Sequence, residues 1–266
     1  MENRGSGVPG SHVNHLLGAL PGKEWQAISP HLELIRMLPG QLVSDVGQCI
    51  HHIYFPTTAV VSMLVQLEDG ASMEVAMIGH EGLIGIPVLT GGGSMPYRVE
   101  VRSAGLGYQL PADTFRQAFI QSAAIRRVSL LYLHAVLTHV AQTAFCIRHH
   151  SVTEQLCRWL LLATDRRRAN ALAITQQSIA ERLGVRREGV TAAVGRLAEL
   201  GLIQHSRGRI AVLDRGGLEL CACGCYRLVR HEYERLFPAA TPEPARAEES
   251  EARFRPAASL HPGGCL

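Results

Sequence analysis

Apolar and polar residues alternate at two different periods along this chain, and the period changes near Pro111. From about Leu32 to Leu110, short apolar runs such as Ala59 to Val65 are separated by glycine and proline turns roughly every 8 to 12 residues, which is typical of a small antiparallel barrel or sandwich. Asp69-Gly70 lies between two such runs and predicts a β-hairpin. A short helix anchored by Leu16, Leu17, Leu20 and Trp25 is predicted to precede the strands.

After Pro111 the apolar residues recur at steps of three and four for more than roughly thirty residues, which is the period of a helix. One row on this helix has heptad spacing: Leu130, Leu133, Leu137, Val140, Ala144 and Ile147. A second, partly apolar row runs beside it from Val128 to Phe145. We expect one row to pack on the barrel and the other on the same helix of a second subunit. The two rows could instead form one broad stripe that faces the core of a single chain.

A capping box at Ser151 to Glu154 predicts that a new helix begins there. Thr175 is expected to cap a later, shorter helix with Ile179, Ala180 and Leu183 on one face, which Gly184 terminates.

A second helix must begin within about three residues of Gly184, because a further apolar row recurs at helical spacing before Gly201. This row is Val190, Val194, Leu197 and Leu200. Two helices joined by so short a glycine turn cross steeply, which is the geometry that places the second helix in a DNA major groove. The two helices could alternatively be an ordinary hairpin packed within a larger core.

The face opposite this row carries residues that can contact base edges: Arg186, Arg187, Glu188, Thr191, Ala192 and Gly195. Beyond Gly201, the run from Leu202 to Val212 predicts a β-hairpin whose tip, Ser206 to Arg209, is basic. Together these features predict a winged helix-turn-helix.

The composition changes this interpretation little. The 266 residues are 47% hydrophobic and 18% charged, as in a globular protein of about two domains. No apolar run approaches the ~20 residues of a membrane-spanning helix, and no signal peptide is recognisable. From Ser151 to Arg235 there are 14 arginines and no lysine against nine acidic residues, so the positive charge lies in the predicted DNA-binding part. Seven cysteines without a secretory signal indicate reduced thiols in a cytoplasm.

The order of barrel, long helix and winged helix resembles the Crp/Fnr family of bacterial transcription regulators. The motif residues that carry the resemblance include Thr175-Gln176-Gln177, Leu183-Gly184-Val185, Arg187-Glu188, Arg196-Leu197 and Gly201-Leu202-Ile203. The resemblance implies a homodimer that reads a palindromic operator and contacts RNA polymerase. It also implies that Gln177 contacts phosphate and that Arg187 and Glu188 reach base edges. Ala192 stands where the family often has an arginine, so readout of the operator should differ there.

These arguments give two sets of candidate residues. The candidate DNA-binding residues are Thr175, Gln176, Gln177, Arg186, Arg187, Glu188, Thr191, Ala192, Arg196, Arg207 and Arg209. The candidate dimer interface is the heptad row Leu130, Leu133, Leu137, Val140, Ala144 and Ile147.

The effector site departs from the resemblance. Nucleotide-binding members of the family have a Gly-Glu-Leu motif and an Arg-Ser or Arg-Thr pair, where this chain has Ile84 to Pro87 and Ser94 to Tyr97. Arg98 and Arg102 are nearby candidates, and strand alternation leaves open which side each faces. We therefore expect a ligand other than cyclic AMP, or a barrel that serves only as a fixed scaffold. A cyclic-nucleotide sensor, a redox- or metal-responsive regulator and an interaction scaffold that does not bind DNA remain alternatives.

Other chemistry is expected to be absent. The Cys221, Cys223 and Cys225 run lacks the usual two-residue spacing of zinc ligands, and its thiols cannot all converge within one helix or strand, so we expect no metal site. His134, His139, His149 and His150 are expected to be solvated or to contact a partner. No catalytic motif indicates an enzyme, and no cofactor is expected.

The sequence thus predicts an α+β protein in five segments. These are a disordered N-terminus (1–13), a β-barrel or jelly-roll sensor domain (14–123), a dimerisation helix (124–150), a winged helix-turn-helix domain (151–236) and a disordered tail (237–266).

Overall fold

The computed structural model describes residues 14–68 and 70–236, and only the backbone of residue 236. The two predicted tails, and Asp69 of the predicted hairpin, lie outside the described residues. The helices are α1 (His15–Gly18), α2 (Gly22–Ile28), α3 (Ala112–Gln121), α4 (Ala123–His149), α5 (Val152–Arg167), α6 (Gln176–Leu183), α7 (Arg187–Glu199), α8 (Arg215–Cys221) and α9 (Gly224–Leu236). The strands are β1 (Glu33–Met37), β2 (Leu42–Ser44), β3 (His52–Pro56), β4 (Val60–Gln66), β5 (Ser72–Ile78), β6 (Arg98–Ser103), β7 (Gly105–Pro111), β8 (Ala171–Ala173), β9 (Ile203–Ser206) and β10 (Arg209–Val212).

The first seven strands form two antiparallel sheets, with strand orders β1-β7-β3 and β2-β6-β4-β5. Side chains from both sheets pack into one core, to which β1 contributes Ile35, β4 contributes Val61 and β6 contributes Val99. β4 and β5 pair directly, and Gly70 between them has a φ of 88°, a conformation that favours glycine. The predicted antiparallel barrel and the hairpin pairing are confirmed.

The helical stretch after Pro111 is interrupted at Ser122, and α4, which begins at Ala123, lies where the dimerisation helix (124–150) was predicted. Ser122 has an extended backbone, and its hydroxyl accepts a hydrogen bond from the amide of Ile125 at 3.3 Å. The amides in the first turn of a helix have no intrahelical acceptor, and the Ser122 side chain provides one for Ile125. This cap therefore favours the start of a new helix, α4, at this point.

α4 packs on the barrel through a row that differs from the predicted heptad row. The residues buried on α4 are Ile125, Ser129, Tyr132, Ala135, Val136, His139, Thr143 and Cys146. By length and composition α4 could cross a membrane, whereas no membrane-spanning helix was expected from the sequence. A single helix of this kind is weak evidence for a membrane span. The hydroxyl of Tyr132 donates to the carbonyl of Leu83 at 2.9 Å, which fixes α4 against the barrel. His139 is buried rather than solvated, and burial holds its pKa well below the usual value.

The remaining elements form a second domain around α5. The predicted capping box is present, with Ser151 and Glu154 exchanging hydrogen bonds at the start of α5. Helices α6 and α7 and the hairpin β9–β10 follow as predicted, and the short strand β8, which was not predicted, completes a sheet of order β8-β10-β9. Helix α9 then returns to pack along α4.

Two buried glutamates of the barrel hold these helices in place. Glu81 pairs with Arg166 of α5 at 2.7 Å, and the Arg166 Nε also donates to the carbonyl of Met77 at 2.8 Å. Glu74 of β5 accepts hydrogen bonds from the indole of Trp159 at 2.8 Å and from Arg182 of α6 at 3.2 Å. The barrel and the winged-helix domain are therefore joined by buried charged contacts.

Candidate nucleic-acid interface

The helix-turn-helix is built from a side-chain cap, a glycine turn and one buried row. The Thr175 hydroxyl accepts from the amide of Ser178 at 3.1 Å, and α6 ends at Gly184, whose φ is 66°. On α7, Val190, Val194 and Leu197 are fully buried. Leu200, predicted to continue this row, is instead exposed, because it caps the C-terminus of α7 just before Gly201.

The opposite face of α7 is open to solvent. Its exposed residues are Arg187, Glu188, Thr191, Ala192 and Arg196, with Arg186 exposed at the N-cap, whereas Gly195 is half-buried. The Thr191 hydroxyl donates to Oε1 of Gln176 at 2.8 Å, which ties the start of α6 to α7. The structure therefore brings the predicted residues of both helices to one surface, and the row buried behind them fixes which way they point.

The predicted wing also lies at the surface. β9 and β10 pair in antiparallel register, and Gly208 in their turn has a φ of 74°. Arg207 and Arg209 at the tip are exposed and make no ion pair with a described carboxylate. Gln177, exposed on α6, donates to Glu181 at 2.9 Å. Arginines held at a surface without a carboxylate partner can neutralise phosphate.

The predicted dimer row on α4 is largely uncovered in the single chain. Leu137 is 62% exposed and Leu130 is 47% exposed, and Ala144 and Ile147 are exposed as well. Leu133 and Val140 are half-buried beside the core. The interpretation of both rows as one stripe facing a single core is wrong, because α4 buries a different face.

In the part of the barrel that the structure describes, the two candidate arginines do not face the core. Val99 and Val101 of β6 face the core, so Arg98 and Arg102 alternate to the outer side of the sheet. Arg98 lies 3.9 Å from Asp45. The guanidinium of Arg102 stacks over Trp159 at 3.9 Å, and burial lowers the pKa of Arg102 to about 9.

The segment Ile84 to Pro87 together with Met95, here called the effector loop, is apolar and buried. Ile86 and Met95 are the residues that the resemblance aligns with the family's ribose and phosphate contacts. The cavity beside Ile84 and Gly85 has a volume of about 20 Å³, which is room for about one water molecule. A larger groove of about 460 Å³ lies outside the barrel and is lined by Glu81, Arg166 and Tyr233, among others.

One cluster of side chains was missed by the sequence reasoning. Cys146 and His150 at the end of α4 meet Cys223 and Cys225, and their ligand atoms all lie within 4.8 Å of one another. Cys221, in the same Cys-x-Cys-x-Cys run, is half-buried and outside this group, so the three thiols of the run do not all converge. In the part of the chain that the structure describes, Cys146, Cys157, Cys221, Cys223 and Cys225 are free thiols.

Comparisons with known proteins bear on both domains. Residues 154–221 match the family model described as a Crp-like helix-turn-helix domain. No curated protein matches the chain.

Solved structures match most of the chain at low sequence identity. A protein of Eubacterium rectale described as a transcriptional regulator of the Crp/Fnr family is 19% identical, with a TM-score of 0.62 over 77% of this chain and 96% of that one. FixK2 from Bradyrhizobium japonicum is 17% identical, with a TM-score of 0.61 over 73% of this chain and 98% of that one. CLP of Xanthomonas campestris, a c-di-GMP responsive global regulator, is 16% identical, with a TM-score of 0.60 over 72% of this chain and 99% of that one.

The family model covers most of the α5–α8 segment, and the solved structures align with about three quarters of the chain, 77% and 73% for the first two. The chain therefore has the fold of the Crp/Fnr transcription regulators and carries their Crp-like helix-turn-helix domain.

Proposed function

We propose that the protein is a cytoplasmic transcription regulator that binds a palindromic operator as a homodimer, and that its barrel does not respond to cyclic AMP. The observation that carries the proposal is the outer face of α7, where Arg187, Glu188 and Thr191 are exposed above a fully buried apolar row. Such a helix offers hydrogen-bonding side chains of fixed direction to base edges. Activation or repression would then proceed through contact with RNA polymerase, as the family resemblance implies.

The roles of the surface residues differ by the part of DNA that each can reach. Arg187 and Glu188 lie at the N-terminal end of α7, which enters the major groove first, so we assign them to base edges. Thr191, Ala192 and Arg196 follow along the same face, and Ala192 can contact a thymine methyl group. The residues that surround this face are assigned to the phosphate backbone: Thr175, Gln176, Gln177, Arg207 and Arg209. Arg186, at the N-cap of α7, is assigned to base edges together with Arg187.

Replacing Arg187 by alanine is expected to weaken binding to the preferred operator by about 1–3 kcal/mol and to relax the preference at one base position.

Arg207→Ala should weaken binding to all DNA sequences alike. It should also reduce the slope of log affinity against log salt concentration by about one, because one phosphate contact is lost. Mobility shifts with genomic fragments and with selected operators, repeated across salt concentrations, measure both effects.

Arg227, an exposed arginine of α9, provides the matched control for these substitutions. Arg227→Ala should leave the sequence preference intact. Unchanged preference in Arg187→Ala would contradict the assignment of α7 to the major groove. Failure of the unaltered protein to shift any fragment would favour an interaction scaffold that does not bind DNA.

The homodimer is supported by the uncovered row on α4. Leu137→Asp is expected to shift the sedimentation mass at micromolar protein from two chains to one, because a carboxylate placed in an apolar seam must be desolvated. Ile120→Asp is the control, since Ile120 is a comparably exposed apolar residue, 65% exposed, on α3 and outside the row. A single-chain mass for the unaltered protein, or equal effects of the two substitutions, would argue against this interface.

Weak or absent binding of cyclic AMP is expected from the apolar effector loop. A buried cyclic phosphate without a cation costs several kcal/mol, and Ile86 and Met95 provide neither an acceptor nor a charge. The small cavity beside Ile84 gives a second reason, since ligand pockets usually measure roughly 300–1,000 Å³. Isothermal titration tests this expectation. A dissociation constant in the low micromolar range that Arg98→Ala abolishes would restore the nucleotide sensor.

A further inference from the structure

We propose that Cys146, His150, Cys223 and Cys225 form a mononuclear site for a thiophilic divalent cation of the zinc class. Three sulfur atoms and one imidazole nitrogen face one another at the place where the long helix α4 ends and the last helix α9 begins. Three thiolates and one imidazole are a common ligand set of structural zinc sites in proteins. The site is independent of DNA binding by α7.

The distances fit one ion better than a larger cluster. The Sγ atoms of Cys146 and Cys223 are 3.5 Å apart, and Nδ1 of His150 lies 3.7 Å from the Sγ of Cys225. A tetrahedral ion with metal–sulfur bonds of about 2.3 Å places two thiolates about 3.8 Å apart. An iron–sulfur cluster would hold its ligands further apart, because several iron atoms lie between them.

The backbone explains why two of the three neighbouring cysteines join the site. Cys221 is the last residue of α8, and Ala222 after it has an extended backbone, with φ −77° and ψ 148°. This turn carries Cys223 and Cys225, but not Cys221, toward the end of α4. The hydrogen bond from the His150 amide to the carbonyl of Cys146, at 3.0 Å, holds the other two ligands one turn apart at the end of α4.

A buried cation beside the cluster is a second, independent observation. Arg158 of α5 is only 5% exposed, and among the described residues it makes no ion pair with a carboxylate. Its Nη2 donates to the Thr143 hydroxyl at 2.8 Å, and its Nε has no hydrogen-bond partner. Burial lowers the pKa of Arg158, and the neighbouring thiols of Cys146, Cys223 and Cys225 act in the opposite direction. A buried guanidinium needs a counter-charge. Three thiolates around one divalent ion leave one net negative charge, which Arg158 balances.

A bound ion would connect two segments that are far apart in sequence. Cys146 lies in the last turn of α4 and His150 directly follows this helix, whereas Cys223 and Cys225 lie on either side of Gly224, the first residue of α9. The ion would therefore fix the winged-helix domain to the end of the long helix. Because an ion that binds only the folded state stabilises it by mass action, removing the ion should lower the thermal midpoint.

The test is metal analysis of the full chain purified under reducing conditions, followed by Co²⁺ titration of metal-free protein. We expect one zinc-class ion per chain and a Co²⁺ spectrum with thiolate charge-transfer and tetrahedral ligand-field bands. Cys223→Ser and His150→Ala should each weaken Co²⁺ binding by on the order of 100-fold or more, since even groups that only orient ligands contribute roughly 10- to 100-fold. Cys221→Ser is the matched control from the same run and should retain the ion.

Several outcomes would overturn the proposal. These are no bound metal together with no Co²⁺ spectrum, equal loss in Cys221→Ser and Cys223→Ser, or full retention in Cys223→Ser. Circular dichroism of each variant separates loss of the site from loss of the fold. His150→Ala is the safer variant in this respect, because the side chain of His150 is only half-buried. A Cys146–Cys223 disulfide found in place of the ion would also decide against the site.

Discussion

Replacing Glu81 by glutamine is expected to lower the free energy of unfolding by about 3–5 kcal/mol, because it leaves the Arg166 charge buried without its counter-charge. The side chains of Glu81 and Arg166 are 10% and 5% exposed, so water screens the pair little. Glutamine keeps the size and an acceptor for the Arg166 Nε and the Gly79 amide, so the loss reports mainly the charge. Chemical denaturation with a constant denaturant slope measures it.

The same pair predicts a loss of stability in acid. Burial by itself raises the pKa of the Glu81 carboxyl, but the charges of Arg166 and His80 outweigh burial, so the pKa lies below its usual value. A carboxyl whose pKa is lowered by folding contributes stability above its unfolded pKa of about 4.3, and this contribution is lost as the pH falls through the folded pKa. Glu81→Gln should therefore show a smaller fall in stability below about pH 4 than the unaltered protein.

Asp113→Asn provides the comparison at the surface. Asp113 pairs with Arg116 one helical turn away, but its side chain is 83% exposed. Exposed pairs of this kind contribute about 0–1 kcal/mol. A loss in Glu81→Gln no larger than that in Asp113→Asn would show that Glu81 and Arg166 are not a buried pair in solution.

Glu74→Ala is expected to have an effect of similar size and to loosen the contact between the barrel and α6. The carboxylate accepts hydrogen bonds from Ser62, Trp159 and Arg182. Its removal leaves the Ser62 hydroxyl and the Trp159 indole without this acceptor, and leaves Arg182, which still donates to Ser62 at 2.7 Å, without its counter-charge. We expect a loss of about 3–5 kcal/mol in the free energy of unfolding. Faster hydrogen exchange at the amides of α6 should accompany it, because Arg182 ties that helix to β5.

A double-mutant cycle tests whether Glu74 acts through Arg182. The double variant Glu74→Ala/Arg182→Ala should lose less stability than the sum of the losses in the two single variants. The reason is that Arg182→Ala removes a charge that Glu74→Ala has left unpaired. Glu68→Ala, at an exposed carboxylate next to the same hairpin, should change neither stability nor exchange appreciably. Additive losses in the cycle would mean that the two side chains do not interact.

The winged helix could be predicted from sequence because each of its signals is local. The capping box at Ser151, the cap at Thr175 and the glycine at 184 each act within a few residues, and the buried row of α7 follows the helical period. Leu200 was predicted wrongly for a reason that is also local: an apolar residue at a helix C-cap continues the period but no longer lies on the buried face.

The face of α4 that packs on the barrel could not be predicted from apolar spacing. Its buried row includes Ser129, His139 and Thr143, which a search for apolar residues leaves out, while the more apolar Leu130 and Leu137 remain at the surface. Thr143 is tolerated there because it finds partners. Its hydroxyl donates to the carbonyl of His139 at 2.9 Å and accepts from Arg158, whereas Nδ1 of His139 has no hydrogen-bond partner among the described residues. Partners on other elements are not visible in a sequence.

The cysteine cluster escaped prediction for a similar reason. Its ligands come in two pairs, and Cys146 and Cys223 are 77 residues apart. The spacing of Cys221, Cys223 and Cys225 alone indicated that three thiols of one run would not converge, and in the structure they do not. The informative signal was the presence of Cys146 and His150 one turn apart near a predicted helix end. It gains meaning only when the fold brings α9 back to α4.

The pairing of β1 with β7 has a consequence for the order in which the chain can fold. Glu33 pairs with Gln109, so this edge of the barrel cannot form until more than seventy intervening residues have been ordered or closed into a loop. Contacts between residues so distant in sequence are slow to form, whereas the contacts of α6 with α7 and of β9 with β10 span short loops. We therefore expect barrel closure to set the refolding rate of the whole chain, with the helix-turn-helix and its wing already structured when it occurs.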